Sequence, residues 1–168
     1  MRKHSIKVAA FLAAVFVLGF ICPATASTIQ ILFDNGVTAN MDARQAKSQE
    51  RLAEWMEKDL VRVFDRYEKD GFQANLIEKR KDFKAQADSF LLNVKITEYK
   101  AGSKAARMIV GYGAGGVTLK IHYELLANGT KSILAQDDSV FSGREWMNAA
   151  RKLNENTAKA ITTKLKNK

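Results

Sequence analysis

The stretch Tyr99–Thr130, YKAGSKAARMIVGYGAGGVTLKIHYELLANGT, decides how the rest of the chain is read. It opens on the end of a strand, passes through a connection carrying Gly102, Gly111, Gly113, Gly115 and Gly116, and closes on Asn128-Gly129. Between them Val117, Leu119, Ile121, Tyr123 and Leu125 alternate with Thr118, Lys120, His122 and Glu124, the period-two pattern of a strand with one buried face. Asn-Gly suits a type I′ turn, whose two central residues both need positive φ, so Thr130–Phe141 is predicted to return as the paired strand.

Working upstream, Asp88–Tyr99 alternates in the same way, with Phe90, Leu92, Val94 and Ile96 opposite Asn93, Lys95 and Thr97. Thr28–Phe33 reads as a first strand stopped by Asp34-Asn35-Gly36. Phe72–Glu78 is a short second strand, followed by the charged connection Lys79–Lys84. Between those strands Asp42 and Gln45 form a capping-box pattern, and Leu52, Trp55, Met56, Leu60, Val63, Phe64 and Tyr67 recur at helical spacing. A helix is predicted over Ala43–Asp70, ended by Gly71, with Glu54–Lys58 and Asp65–Lys69 as i,i+4 pairs on its outer face. Downstream, Ser142 with Glu145 is a second capping-box pattern, opening a helix with Trp146, Ala150, Leu153, Ile161 and Leu165 on one stripe. The order β-α-β-β-β-β-α predicts an α+β fold: a mixed sheet with a parallel crossover and a meander, and two helices packed against it. Proline is absent after Pro23 and no repeat is evident, so a single domain is expected.

The N-terminus stands apart. Arg2, Lys3 and Lys7 precede the uncharged apolar run Val8–Ile21, which is shorter than the roughly 18 residues of a membrane-spanning helix, and Ala24-Thr25-Ala26 follows as a small-x-small cleavage site. A secretory signal peptide over residues 1–26 and a periplasmic domain over residues 27–168 are expected. Lipid attachment at Cys22 is the lesser alternative, because Ile21 and Pro23 flank it. A chain cut after Ala26 keeps no cysteine, hence no disulfide or thiolate chemistry. Of 27 Lys and Arg three leave with the signal, so 24 minus 18 acids gives a charge of +6. Such a surface favours anionic partners, among them lipid head groups and cell-surface polymers, while export argues against nucleic acid.

Chemistry is sparse. Gly111-Tyr112-Gly113-Ala114-Gly115-Gly116 fits Gly-x-Gly-x-x-Gly, but a strand follows it where a dinucleotide site needs a helix N-terminus, so no nucleotide and no cofactor are expected. His122 is the only histidine after the signal and falls on the polar face with Lys120 and Glu124; alone it makes no zinc site. Strand parity sends Asp137 and Asp138 to opposite faces, and no Ser/His/Asp spacing stands out. Asn128-Gly129-Thr130 matches a glycosylation sequon that the hairpin turn already explains. What remains is the loop. Met108, Ile109, Val110 and Tyr112 are apolar where a connection is normally polar, with Lys104 and Arg107 beside them. Either these residues fold back over the core, or Lys104, Arg107, Met108, Ile109, Gly111, Tyr112, Gly113, Gly115 and Gly116 form a contact surface for a membrane, an envelope protein or a second copy. The expected function is non-enzymatic binding or scaffolding in envelope assembly. Its competitors are a binder of a small anionic ligand through Lys104 and Arg107, and a hydrolase or transferase using Asp137, Asp138 or Glu124.

The segments Ala87–Leu92, Ile96–Ser103, Ala106-Arg107, Ile109–Gly111 and Gly113–Gly115, with the strand after them, resemble a family of exported bacterial proteins and lipoproteins catalogued as a domain of unknown function. The shared pattern is an Ala-Asp strand, a Gly-Ser turn, an Arg, then Gly-x-Gly-x-Gly and a hairpin, over about Asp88–Val140. More distantly, the element order is similar to the periplasmic domain of the curli secretion lipoprotein. The resemblance implies an envelope location and a compact α/β domain, and carries over no catalytic residue.

Overall fold

The computed structural model describes residues 26–102, 115–143 and 145–167. In chain order the elements are β1 (Ser27–Asp34), α1 (Ala43–Asp65), β2 (Phe72–Ile77), β3 (Ser89–Lys100), β4 (Val117–Ala127), β5 (Lys131–Ser142) and α2 (Trp146–Lys166). They build one mixed sheet of order β2-β1-β3-β4-β5, in which β1 runs parallel to both neighbours and β3-β4-β5 is an antiparallel meander. This is the predicted α+β domain with its predicted order.

Both helices cover one face of the sheet. Ile29, Ile31, Leu92, Val94, Ile96, Leu119, Ile121 and Tyr123 meet Leu52, Met56, Leu60, Phe64, Leu153 and Ile161 in one core. Each such fully buried aliphatic side chain is worth roughly 1.5–3 kcal/mol by transfer, which is what holds helices of modest propensity in place. The connection between β2 and β3 crosses the opposite face. Buried Gln30 of β1 binds its backbone twice, donating to the Lys84 carbonyl at 2.8 Å and accepting from the Lys84 N–H at 2.9 Å. Arg80 Nη2 also donates to the Gly129 carbonyl at 3.0 Å, tying the same strap to the β4–β5 turn. Leu91 and its cross-strand partner Leu126 are buried on this side, apart from the main core.

Local details follow the chemistry of the residues, with exceptions. Asp42 Oδ1 accepts from the N–H groups of Arg44 and Gln45 at 3.0 and 2.9 Å, capping α1 as predicted. Asn128 and Gly129 have φ of +51° and +71°, and the Thr130 N–H reaches the Ala127 carbonyl at 3.1 Å, closing the expected turn. Helix α1 stops at Asp65 rather than Asp70, because the chain tightens into a 3-10 turn over Glu68–Asp70 before left-handed Gly71. The Glu54–Lys58 and Asp65–Lys69 pairs are not closed as ion pairs; Arg66–Glu155 (3.0 Å) and Lys166–Asp70 (2.9 Å) form instead, bridging to α2. Ser142 is not a helix cap: it pairs with Val117 as the last residue of β5, and Glu145 takes the N-cap position without a side-chain bond. A bulge between Ile96 and Glu98 shifts the parity of β3, turning Tyr99 inward and Glu98 outward.

That bulge places Glu98 between Lys100 (2.7 Å) and Lys120 (2.6 Å). Hydrogen bonds first from Lys100 and then from Lys120 lower its carboxyl pKa from 4.5 to about 2. Because the folded value is depressed, the stabilisation is complete above the unfolded carboxylate range and fades as pH falls toward about 2. In a carbon-detected NMR titration Glu98 is expected to be the last glutamate to protonate on acidification, and Lys120→Met should move its midpoint upward. A midpoint near 4.5 in the unmodified protein would refute the assignment.

Candidate functional site

Strands β1 and β3 run parallel, so their carboxyl ends share one end of the sheet, where β4 begins and β5 finishes. There the glycine-rich connection leaves and returns through a narrow neck. A Cβ on Gly102 would overlap the Gly115 carbonyl oxygen and sit 3.0 Å from the Gly116 carbonyl carbon. Gly115 has φ of +67°, and a Cβ on Gly116 would run into the Phe141 ring, which is itself 62% exposed. Of the residues predicted to form a contact surface, Gly115 and Gly116 lie in this neck. Lys104, Arg107, Met108, Ile109, Gly111, Tyr112 and Gly113 fall outside the described residues.

Beside the neck, three elements converge on a cleft of about 380 Å³. Helix α1 contributes Arg44, Lys47, Ser48 and Arg51, β3 contributes Tyr99 and α2 contributes Trp146. Trp146 packs edge-on against Trp55 with ring centroids 5.7 Å apart, and the Arg151 guanidinium carbon sits 5.8 Å from the Trp55 ring centre. The exposed cations Arg44, Lys47, Arg51 and Arg151 take part in none of the ion pairs among the described residues. A cluster of uncompensated positive charge next to amphipathic aromatic rings attracts anions and tolerates a half-wet, half-apolar boundary.

The carboxylates considered for catalysis do not converge. Asp137 Oδ1 lies 2.8 Å from His122 Nδ1 on the open face, whereas Asp138 on the helix face accepts from Asn156 Nδ2 at 3.0 Å. Glu124 pairs across the sheet with Ala135. Among the described residues no three His, Cys, Asp or Glu side chains gather to hold a metal ion.

The cationic cleft escaped sequence reasoning because Arg44, Lys47 and Arg51 read as an ordinary solvated helix face. One signal was available. The residues four positions before these cations are Asn40, Ala43 and Lys47, so none has an acid in the favoured position.

Fold and site together define an α+β domain with a cationic, aromatic end. Residues 15–143 match the family described as "Domain of unknown function (DUF4410)", and the chain belongs to that family. No curated protein matches the chain. Among solved structures it is similar in fold to a dodecameric leucine-to-methionine variant of PelC from Paraburkholderia phytofirmans: 11% identity, 79% of this chain, 87% of that chain, TM-score 0.54. A second PelC dodecamer from the same organism gives 10% identity, 79% and 85% coverage and a TM-score of 0.49. An uncharacterized lipoprotein B from Nitrosomonas europaea gives 9%, 86%, 88% and 0.28. At these identities the likeness is one of fold.

Proposed function

We propose that this protein is an exported, non-enzymatic binding domain of the bacterial envelope, cleaved after Ala26, whose neck-and-cleft end meets an anionic membrane surface. The observation that carries the reading is the convergence of Arg44, Lys47 and Arg51 with Tyr99 and Trp146 beside the loop neck. The sequence between Gly102 and Gly116 carries residues of the same chemical kind, Lys104 and Arg107 beside the apolar Met108, Ile109 and Tyr112. Self-assembly belongs to the same proposal, supported by the dodecameric state of the PelC structure. So does a fold-level kinship with the periplasmic domain of the curli secretion lipoprotein.

The test is co-sedimentation of the chain from Ser27 with vesicles of phosphatidylcholine alone or mixed with phosphatidylglycerol. Binding is expected only to the anionic vesicles and is expected to weaken with salt. At about 1 kcal/mol per basic residue near such a surface, the triple variant Arg44→Gln, Lys47→Gln, Arg51→Gln should bind on the order of 100-fold more weakly. Equal binding by the triple variant, or none by the parent at low salt, would end the membrane reading. The small-anion alternative is separated by thermal shift: stabilisation by inorganic phosphate without vesicle binding would favour it.

A further inference from the structure

A larger cleft, about 810 Å³, lies along β5, away from the loop neck. Strand β5 is the sheet edge: β4 pairs with one side of it, and among the described residues no strand pairs with the other. It is twelve residues long, and Ala135, Gln136 and Asp137 are exposed at its centre. An open edge of this length offers a row of backbone donors and acceptors to any extended chain. Here the edge is also one wall of a groove whose other wall is the second half of α2.

The groove has a chemical pattern. Tyr123, Leu134 and Ala160 line it with largely apolar surface. The Tyr123 hydroxyl donates to Gln136 Oε1 at 2.9 Å, and burial, aided by the Asp138 charge, raises its pKa to about 12, so this lining stays neutral. Asp138 is engaged by Asn156 Nδ2 and by the Ser139 N–H, at 3.0 and 2.7 Å. Lys159 and Lys164 on α2 are exposed, line the groove, and take part in no ion pair among the described residues. Alternate side chains of an added strand share one face, and acidic ones on the face turned toward α2 would meet both lysines of the groove lining, whose methylene stems can lie on its apolar surface.

We propose that this groove docks an extended acidic peptide segment of a partner protein, which adds to β5 as a sixth strand and sets alternate carboxylates against Lys159 and Lys164. Backbone pairing supplies the hold and the lysines supply the choice of sequence, as in other strand-addition sites. The inference does not depend on the membrane reading, which uses the other end of the domain.

The probe is a fluorescein-labelled peptide Thr-Val-Thr-Glu-Thr-Glu-Thr, compared with a version carrying lysine in place of glutamate, measured by anisotropy against the chain from Ser27. The acidic peptide is expected to bind and to slow amide hydrogen exchange along β5. Lys159→Glu with Lys164→Glu should weaken it at least tenfold and let the lysine peptide bind instead, with an unchanged melting temperature, since both side chains are exposed. Vesicle binding should persist in this variant, so failure here and failure of the membrane reading are separate results. Equal affinity for both peptides, no exchange protection on β5, or a change of assembly mass on charge reversal with no change in peptide affinity would overturn the proposal. The last outcome would make the groove a contact between copies.

Discussion

The Gly36→Ala variant is expected to unfold about 10 °C below the parent, a loss of about 3 kcal/mol in stability. Gly36 follows β1 with φ of +66°, where a side chain costs roughly 1–2 kcal/mol. A Cβ there would also overlap the Ile96 carbonyl oxygen and lie 3.0 Å from its carbon. Backbone cannot swing aside as a side-chain tip can, so the overlap must be relieved by moving β1 from β3 or by opening the turn. The turn is held by the Gly36 N–H to Asp34 Oδ1 (2.8 Å) and by buried Gln49, whose Nε2 donates to the Asn35 carbonyl at 2.7 Å. Gly71 provides the control. Its φ is +84°, yet a Cβ would have nothing within 4 Å, so Gly71→Ala should show only the conformational part, about 1 kcal/mol. Denaturant melts of the two variants separate the effects; equal losses at both sites would show that the Ile96 contact contributes nothing.

The second large effect concerns the joint between the helices. Asn154 of α2 is buried and donates both amide protons into α1, to the Met56 carbonyl and to Asp59 Oδ2, each at 3.0 Å. Asp59 is itself 6% exposed. Asn154→Leu removes the donor and leaves a carboxylate inside the protein, a change that costs about 3 kcal/mol. The double variant Asp59→Leu, Asn154→Leu removes the stranded charge as well and should recover most of that loss, because apolar replacement of a whole buried polar pair is often close to neutral. A double-mutant cycle by chemical denaturation reads the coupling directly. If the double variant is as unstable as the sum of the single ones, the pair is not a unit and the loss comes from packing.

Much of the architecture was legible because short-range chemistry and long-range packing agree. Asp42 caps the helix it precedes, Asn128-Gly129 makes the turn its conformational freedom permits, and the alternation of β4 survives intact in the burial of Val117 through Leu125. The failures fall where one kind of interaction outbid another. Ser142 has the sequence neighbourhood of a cap, but pairing with Val117 continues the sheet through it. The bulge near Thr97 shows in the sequence only as a break in alternation, Ile96 and Tyr99 lying three residues apart, which does not by itself say which face Tyr99 takes. Asp59 and Asn154 look like surface residues until two helices are laid together. For the same reason the cationic cleft was not legible as one site, although its helix cations lack acids in the favoured position: its residues come from positions 44 to 51, 99 and 146, joined only by the fold. The candidate loop itself was visible as a glycine-rich, apolar segment, and only its neck falls within the described residues.

The neck has a consequence for engineering and for how sequences of this family can drift. Gly102 and Gly115 stand back to back, so the chain between them departs and re-enters at a single point. Chain spliced in between them starts and finishes side by side, and its length imposes no change on the spacing of β3 and β4. The position is a natural socket: reporter domains or loops borrowed from relatives can be exchanged there while the glycines on either side keep the sheet closed.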